Sequence, residues 1–400
     1  MRLLKVIFKN ESIFKDGVTI DFTNENSVRK SPYDSDTLLK AFKLKTGIYS
    51  QVLMAFTGLN ATGKTTILEM LSVVQQVLFK HESLNMPNIQ SRLVKAVSGS
   101  KPFQWEVYFF HSGQVYRLWS EIEGKITNDE LNGELRFIYK EESLQKKSFA
   151  STNRRNLFDF TNIKASLRSE IMVNTLYLQD DDSIVSNLKD INEYIHPLGL
   201  ETNLNVAAFR GAPPETFINV FDPNIQRIKI TKGPDGKEKS ELLFKNQKRR
   251  IYSGNPSGLL LFLSAGTIKG LSIGPSIIRA LKTGGYVFID EIENHFNKKI
   301  VEWFMELFTD TRTNPKGACL IFSTHYPELL DTMDRMDNIY VTKRNQDNFC
   351  TCVRYSDIIK RNEISKSRVI LENVIGGTAP SYQDLQAAKD MISNFVKERE

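Results

Sequence analysis

The sequence predicts an α/β fold with a mixed-sheet core, an antiparallel β lobe and a helical insertion, and three observations carry that reading. Gly58-Leu59-Asn60-Ala61-Thr62-Gly63-Lys64-Thr65 spells a phosphate-binding loop between the apolar run Val52-Leu53-Met54-Ala55-Phe56 and a helical pattern at Ile67, Leu68, Leu71, Val74 and Leu78. The first half of the chain alternates apolar and polar residues with period two, the habit of antiparallel strands. From Gly258 onward, apolar runs at Tyr286 to Ile289 and Ala318 to Phe322 alternate with helical segments, as buried parallel strands do.

Taken in order, Leu4, Val6 and Phe8, then Phe14, then Val18, Ile20 and Phe22 alternate as a strand pair. Asn24 to Thr46 is a polar excursion before the phosphate-binding strand. Phe103 to Ile122 forms two alternating segments about Ser112-Gly113, an antiparallel hairpin. Lys125 to Arg168 is polar with few periodic signals and reads as a solvated loop region, whereas Val173 to Leu178 reads as a short strand closing at Gln179. Ile225 to Ile230 and Glu241 to Phe244 flank the turn Lys232-Gly233-Pro234-Asp235-Gly236, a second hairpin. The expected organisation is a first lobe over residues 1–182, an insertion with its connecting hairpin over 183–257, a second lobe over 258–355 and a helical tail over 356–400. The sequence has neither an internal repeat nor heptads sustained enough for a long coiled coil.

With 40% hydrophobic and 25% charged residues among 400, the chain has the composition of an ordinary globular protein. No run reaches the roughly 18 apolar residues of a membrane span. Met1 to Lys9 is broken by charge, unlike a signal peptide, so the expected location is the cytoplasm. Three cysteines (Cys319, Cys350 and Cys352) fit reduced thiols packed in strands. A net charge of +6 permits contact with nucleic acid without demanding it.

The loop's chemistry follows from its residue types. Gly58 and Gly63 let the backbone curl so that the N–H groups of Asn60, Ala61, Thr62, Gly63 and Lys64 can face phosphate oxygens. Lys64 meets the β- and γ-phosphates, and the hydroxyl of Thr65, followed by Thr66, ligates Mg²⁺. The expected ligand is therefore a nucleoside triphosphate with magnesium, bound at a helix N-terminus. Tyr286-Val287-Phe288-Ile289-Asp290-Glu291 is an apolar strand ending in two carboxylates at the same sheet edge. Alternation would put them on opposite faces, Asp290 for the Mg²⁺ shell and Glu291 to polarise the attacking water. Ser323-Thr324-His325 ends the next strand and would bring an imidazole to the γ-phosphate. Ser264-Ala265-Gly266-Thr267 opens another helix able to receive phosphate, although one site has no use for two such cradles.

The order of these motifs, with Gln179 between the phosphate loop and Ser264, resembles the ABC-type ATPase superfamily, a branch of the P-loop NTPases. The resemblance implies a homodimer trapping two ATP molecules, with Ser264 to Thr267 of one protomer capping the nucleotide of the other and Gln179 sensing the metal. Asn60 and the opening strands resemble the branch containing SMC-type, RecF-like and overcoming-lysogenisation-defect ATPases. Segments across most of the chain, including Asp222-Pro223-Asn224-Ile225, Asp337-Asn338-Ile339-Tyr340 and Gly376-Gly377-Thr378-Ala379-Pro380, resemble stand-alone bacterial AAA-family ATP-binding proteins of antiphage defence and abortive infection. Departures are Ala265 in place of a second serine, Phe296-Asn297-Lys298 in place of Leu-His-Pro, and Gly274-Pro275 interrupting the helix after the signature.

The first functional expectation is an ATPase whose nucleotide state controls an effector on another chain, such as a nuclease or toxin, because the sequence carries no effector of its own. The second is a RecF-like repair clamp, for which Lys245, Lys248, Arg249 and Arg250 form the best basic cluster. A slow nucleotide switch is the third, with Glu291 against it. A transporter motor is disfavoured because Lys64 and Ser264 stand 200 residues apart. Asp180-Asp181-Asp182 reads as a solvated loop more readily than a metal site. Phe8 and Phe14 are the candidates for adenine contact.

Overall fold

Two sheets with a helix between them position the site in the computed structural model, which describes residues 1–14, 16–29, 31–97, 101–126, 135–174, 178–188, 214–232, 238–246, 250–254, 256–345, 347–361 and 363–397. β1 (Arg2–Lys9) and β2 (Val18–Asp21) pair antiparallel, as their alternation predicts. The polar excursion contains β3 (Phe42–Lys45), which makes a small hairpin with β4 (Ile48–Ser50). β5 (Leu53–Gly58) then runs into the phosphate-binding loop, which opens α1 (Lys64–Lys80) and is followed by α2 (Pro87–Ala96). β6 (Phe103–His111) and β7 (Gln114–Ile126) form the expected hairpin, with Ser112 and Gly113 at φ 45° and 75° in the tight turn.

The stretch read as a solvated loop instead contains β8 (Leu135–Ser148), 14 residues paired along its length with β7. Only Phe137, Tyr139 and Glu142 of this strand are buried, too few apolar positions to register as an alternation. β9 (Ser166–Leu167) leads into α3 (Arg168–Asn174). The strand expected at Val173 to Leu178 therefore begins inside a helix, and residues 175–177 lie outside the described residues. α4 (Glu215–Phe221) precedes β10 (Ile225–Lys232), β11 (Glu238–Phe244) and β12 (Ile251–Ser253), a three-stranded antiparallel sheet whose turn at Gly233 to Gly236 also lies outside the described residues.

α5 (Ala265–Thr283) runs straight through Pro275, against the interruption expected there. Gly270 and Gly274 serve as its seat on α4: a Cβ on either would stand 2.3 Å from the Phe221 ring or 2.1 Å from the Phe217 ring. β13 (Tyr286–Ile289), α6 (Lys298–Thr309), β14 (Cys319–Thr324), β15 (Ile339–Arg344), β16 (Cys350–Arg354), α7 (Tyr355–Ile358), α8 (Lys366–Leu371) and α9 (Tyr382–Lys397) follow in order.

The central sheet has the order β13-β14-β5-β15-β16, parallel except for β16. Met54, Phe56, Tyr286, Phe288, Ile321 and Tyr340 on one face share a core with α1 and the inner face of the antiparallel sheet β2-β1-β6-β7-β8-β9. Ala55, Val287, Ile289, Leu320, Phe322 and Val341 on the other face pack with α5 and α6. Burial on both faces is why β5, β13 and β14 read as unbroken apolar runs. α4, β10 to β12 and the first half of α5 enclose a smaller core of their own.

Candidate functional site

The phosphate-binding loop is held by glycines that no other residue could replace. Gly58 has φ 145°, and a Cβ there would stand 2.1 Å from the Thr342 carbonyl oxygen. Gly63 has φ 92°, and a Cβ there would stand 2.5 Å from the Phe14 ring. Ala61 also takes the left-handed conformation, at φ 58°. Thr62 is buried, donates to the Leu59 carbonyl at 2.7 Å and shares a hydrogen bond with the Thr342 hydroxyl at 2.7 Å. Asn60 and Ala61 form the exposed tip, with Thr66 half-buried behind it. Phe8 and Phe14 are each only 1% exposed, so the adenine role considered for them does not hold: both belong to the core beneath the loop.

Lys64 folds back on its own loop. Its Nζ donates to the Gly58 carbonyl at 2.9 Å and to the Leu59 carbonyl at 2.8 Å. Burial brings its pKa down to about 8, while Asp290, Glu291 and Glu293 pull in the opposite direction.

The parallel pairing of β13 with β14 carries Ile289 opposite Phe322, which delivers Asp290 and Ser323 to the same edge. The Ser323 hydroxyl donates to Asp290 Oδ1 and accepts from the Glu291 backbone N–H at 2.7 Å. Thr65 Oγ1 donates to Asp290 Oδ2 at 2.7 Å, joining the first turn of α1 to the end of β13. Glu291 has left the strand geometry, at φ 47°, so its direction is set by a left-handed turn and not by strand alternation. Its Oε1 lies 3.7 Å from His325 Nε2. Burial, and then the charge of Lys64, lower the His325 pKa below its ordinary value, which leaves the imidazole neutral at pH near 7.

Glu293 is the residue that sequence reading missed. It is buried, and its Oε1 accepts the His325 backbone N–H at 2.6 Å, fixing the turn from which the imidazole projects. Its Oε2 is buried without a hydrogen-bond partner among the described residues. The signal was present in Asp290-Glu291-Ile292-Glu293, three carboxylates about one apolar residue, but a third acid after a strand looks like ordinary turn chemistry.

Ser264 is exposed and caps α5, its hydroxyl accepting the Thr267 backbone N–H at 3.1 Å, with Ala265 and Gly266 half-buried in the first turn. Among the described residues, no hydrogen bond joins Ser264 to Thr267 with Lys64, Thr65, Asp290 or His325. Gln179 is not brought to Thr65 and Asp290 by any hydrogen bond among the described residues either. Its carbonyl accepts from Arg168 at 2.5 Å and its backbone N–H donates to Asp182 at 3.2 Å. Of the neighbouring acids, Asp181 is buried and accepts from Asn85 at 2.9 Å. In the basic cluster, Lys245 donates to Asn219 at 3.1 Å and Arg250 lies 3.5 Å from Glu241, while Lys248 and Arg249 lie outside the described residues.

Thr65 and Asp290 suit a small hard cation. Their oxygens stand 2.7 Å apart, close to the about 2.9 Å between adjacent oxygens around octahedral Mg²⁺. Two oxygen ligands from the protein, with the rest from water and phosphate, is the usual magnesium arrangement in phosphoryl-transfer sites. Among the described residues no group of three or more His, Cys, Asp or Glu stands ready to hold a metal, and no helix is long and apolar enough to cross a membrane.

No curated protein matches the chain. The family model described as "AAA domain, putative AbiEii toxin, Type IV TA system" matches residues 53–331, a span from the strand before the phosphate loop to just beyond His325. A mixed α/β architecture with a phosphate-binding loop at the centre of its sheet agrees with that match, and the chain belongs to this AAA-domain family of nucleotide-binding P-loop ATPases.

Proposed function

We propose that this chain is an ABC-type ATPase that binds ATP with Mg²⁺ and closes on a second copy, and that this nucleotide-dependent homodimer controls a separate effector in antiphage defence. The observation that carries the reading is the convergence of Lys64, Thr65, Asp290, Glu291 and His325 on one sheet edge, while Ser264 waits exposed on another element. A half-site of this kind is completed by a second copy that presents what the first lacks, and head-to-tail pairing in a closed dimer satisfies both sites at once. Ser264, Ala265, Gly266 and Thr267 then offer a capped helix N-terminus to the partner's nucleotide.

Within a site, the backbone N–H groups of Asn60 to Thr65 face the phosphates, and Lys64 exchanges its loop carbonyls for phosphate oxygens. Thr65 and Asp290 would hold magnesium, whose charge would offset that of the triphosphate. Glu291 orients and polarises the attacking water, and neutral His325 donates to the γ-phosphate, its ring kept in place through Glu293. Gln179 stays the candidate metal sensor.

We assign the effector, a nuclease or a toxin, to another chain. The test is direct. Glu291→Gln should lock an ATP-dependent dimer, seen by light scattering, and reduce turnover by about 100-fold or more. Lys64→Ala should abolish binding. A Glu291→Gln protein that turns over normally, or that stays a single copy with magnesium and ATP, overturns the reading.

A further inference from the structure

Two contacts tie the Ser264 turn to the loop that carries Glu291 in the same chain. Lys269, on the second turn of α5, is 7% exposed, and its Nζ donates to the Glu291 carbonyl at 3.2 Å and the Asn294 carbonyl at 2.9 Å. The same ammonium lies 5.3 Å from the centroid of the Phe296 ring. One turn earlier, helix and loop meet backbone to backbone: a Cβ on Gly266 would stand 2.5 Å from the His295 carbonyl oxygen. The first two turns of α5 thus grip residues 291 to 296 at both ends.

The gripped loop is strained as well as self-bonded, the Asn294 N–H donating to the Glu291 carbonyl at 2.9 Å and the Phe296 N–H to the Glu293 carbonyl at 3.0 Å. Glu291 at φ 47° and His295 at φ 67° both sit in the left-handed region, which a β-carbon disfavours. Backbone of this kind persists only where its surroundings over-determine it, and the two carbonyls that Lys269 binds bracket the turn. If packing alone were needed here, an apolar residue would avoid burying an ammonium near the positive end of a helix. A cation in that place is explained by the carbonyls it binds.

We infer that Lys269 is a positioning residue that makes each protomer's Ser264 turn and its Glu291 loop one rigid unit, so that engaging the partner's nucleotide sets the glutamate of its own site. The inference rests on the head-to-tail dimer proposed above. In that arrangement the Ser264 turn reads the nucleotide of the other copy while Glu291 serves its own. A rigid link between them makes hydrolysis at one site depend on occupancy of the other.

The experiment compares steady-state ATP hydrolysis, nucleotide affinity and ATP-dependent dimerisation in the full chain. Wild type should hydrolyse ATP with a Hill coefficient approaching about two, the number of coupled sites. Lys269→Met should bring it close to one and lower kcat by about tenfold or more, since small misplacements of a catalytic group cost that much. Affinity for a fluorescent ATP analogue should stay within about threefold, and the dimer should still form in a Glu291→Gln background. Lys269→Arg, which keeps the donors, should restore kcat. Unchanged kcat and Hill coefficient in Lys269→Met overturn the inference, as does a loss that Lys269→Arg fails to rescue. If the methionine variant does not fold, Lys269→Gln keeps a single donor group and should lower kcat at unchanged affinity; a wild-type profile for that variant also overturns it. Failure of Glu291→Gln alone to dimerise removes the dimer itself, an outcome visible before any change at Lys269.

Discussion

Raising the pH from about 7 to 9 should weaken nucleotide binding by about tenfold through Lys64 alone. In the free protein this ammonium is buried against the Gly58 and Leu59 carbonyls, and its pKa is about 8. A bound triphosphate adds negative charge beside it, which favours the protonated form and returns the pKa toward or beyond the ordinary 10.5. Above pH 8 binding must therefore take up a proton, and affinity falls by up to about tenfold per pH unit until the bound-state pKa is reached. At pH 9 about nine in ten free lysines are neutral, hence the factor. In the free protein the His325 pKa is lowered by burial and by Lys64, so its imidazole is already neutral where this range begins.

The same shift has a sign for stability. Between pH 8 and 10.5 the unfolded lysine binds a proton that the folded one lacks, so this residue's contribution to stability rises with pH through that window. Below it, burying the charge costs about 3 kcal/mol, which nucleotide relieves. The assay is titration of a fluorescent ATP analogue at fixed ionic strength and saturating magnesium, with Lys64→Arg as control because arginine keeps its charge. A wild-type affinity that stays flat through pH 9 refutes the reasoning, and so does the same fall in the arginine variant.

His325→Ala should lower kcat by about 100-fold or more with affinity almost unchanged; an equal loss of binding would place the imidazole in ground-state contacts instead. Phe14→Ala should cost about 3–5 kcal/mol in denaturant unfolding, since the ring is 1% exposed beneath Gly63; lost ATP affinity at full stability would contradict that placement. Arg168→Met should cost about 3–5 kcal/mol, because Arg168 pairs at 3.1 Å with Glu142, whose side chain is fully buried. Little change on unfolding that variant would mean that Ser120, Ser183 and the Ile184 N–H carry the carboxylate without it.

The loop and the central strands were legible because their chemistry is local. Gly58, Gly63, Lys64 and Thr65 act within one turn of chain, and β5, β13 and β14 are buried on both faces, so each announces itself in a few consecutive residues. β8 was not legible because it buries only three residues, one of them Glu142, and leans on β7 for its pairing. A strand that takes its order from its neighbour leaves no periodic trace of its own. Gly274 was read with Pro275 as interrupting the helix for the opposite reason: its role, like that of Gly270, is tertiary, the close approach of α4. Glu293 and Lys269 escaped because their partners are backbone groups of distant segments, His325 in one case and the Glu291 turn in the other, and a sequence does not display which carbonyl or N–H a side chain will meet.

Several costs in the free protein lie where phosphate would sit. Ala61, Glu291 and His295 hold left-handed backbone, Lys64 is a desolvated cation, and Glu293 Oε2 is buried without a partner among the described residues. Each unfavourable left-handed residue costs about 1 kcal/mol or more, and a fold optimised only for stability would shed them. At this sheet edge they fit a site built for a state in which charge and donors are matched by a ligand. Lys64 makes the point in its own hydrogen bonds: the two carbonyls it now holds belong to the loop whose N–H groups must face phosphate, so the free loop is closed on its own lysine. Nucleotide binding exchanges those bonds for stronger charge-assisted ones and returns the lysine to its ordinary protonation. A given concentration of ATP should therefore stabilise the wild type more than it stabilises the Lys64→Met variant, a difference that thermal unfolding reads directly.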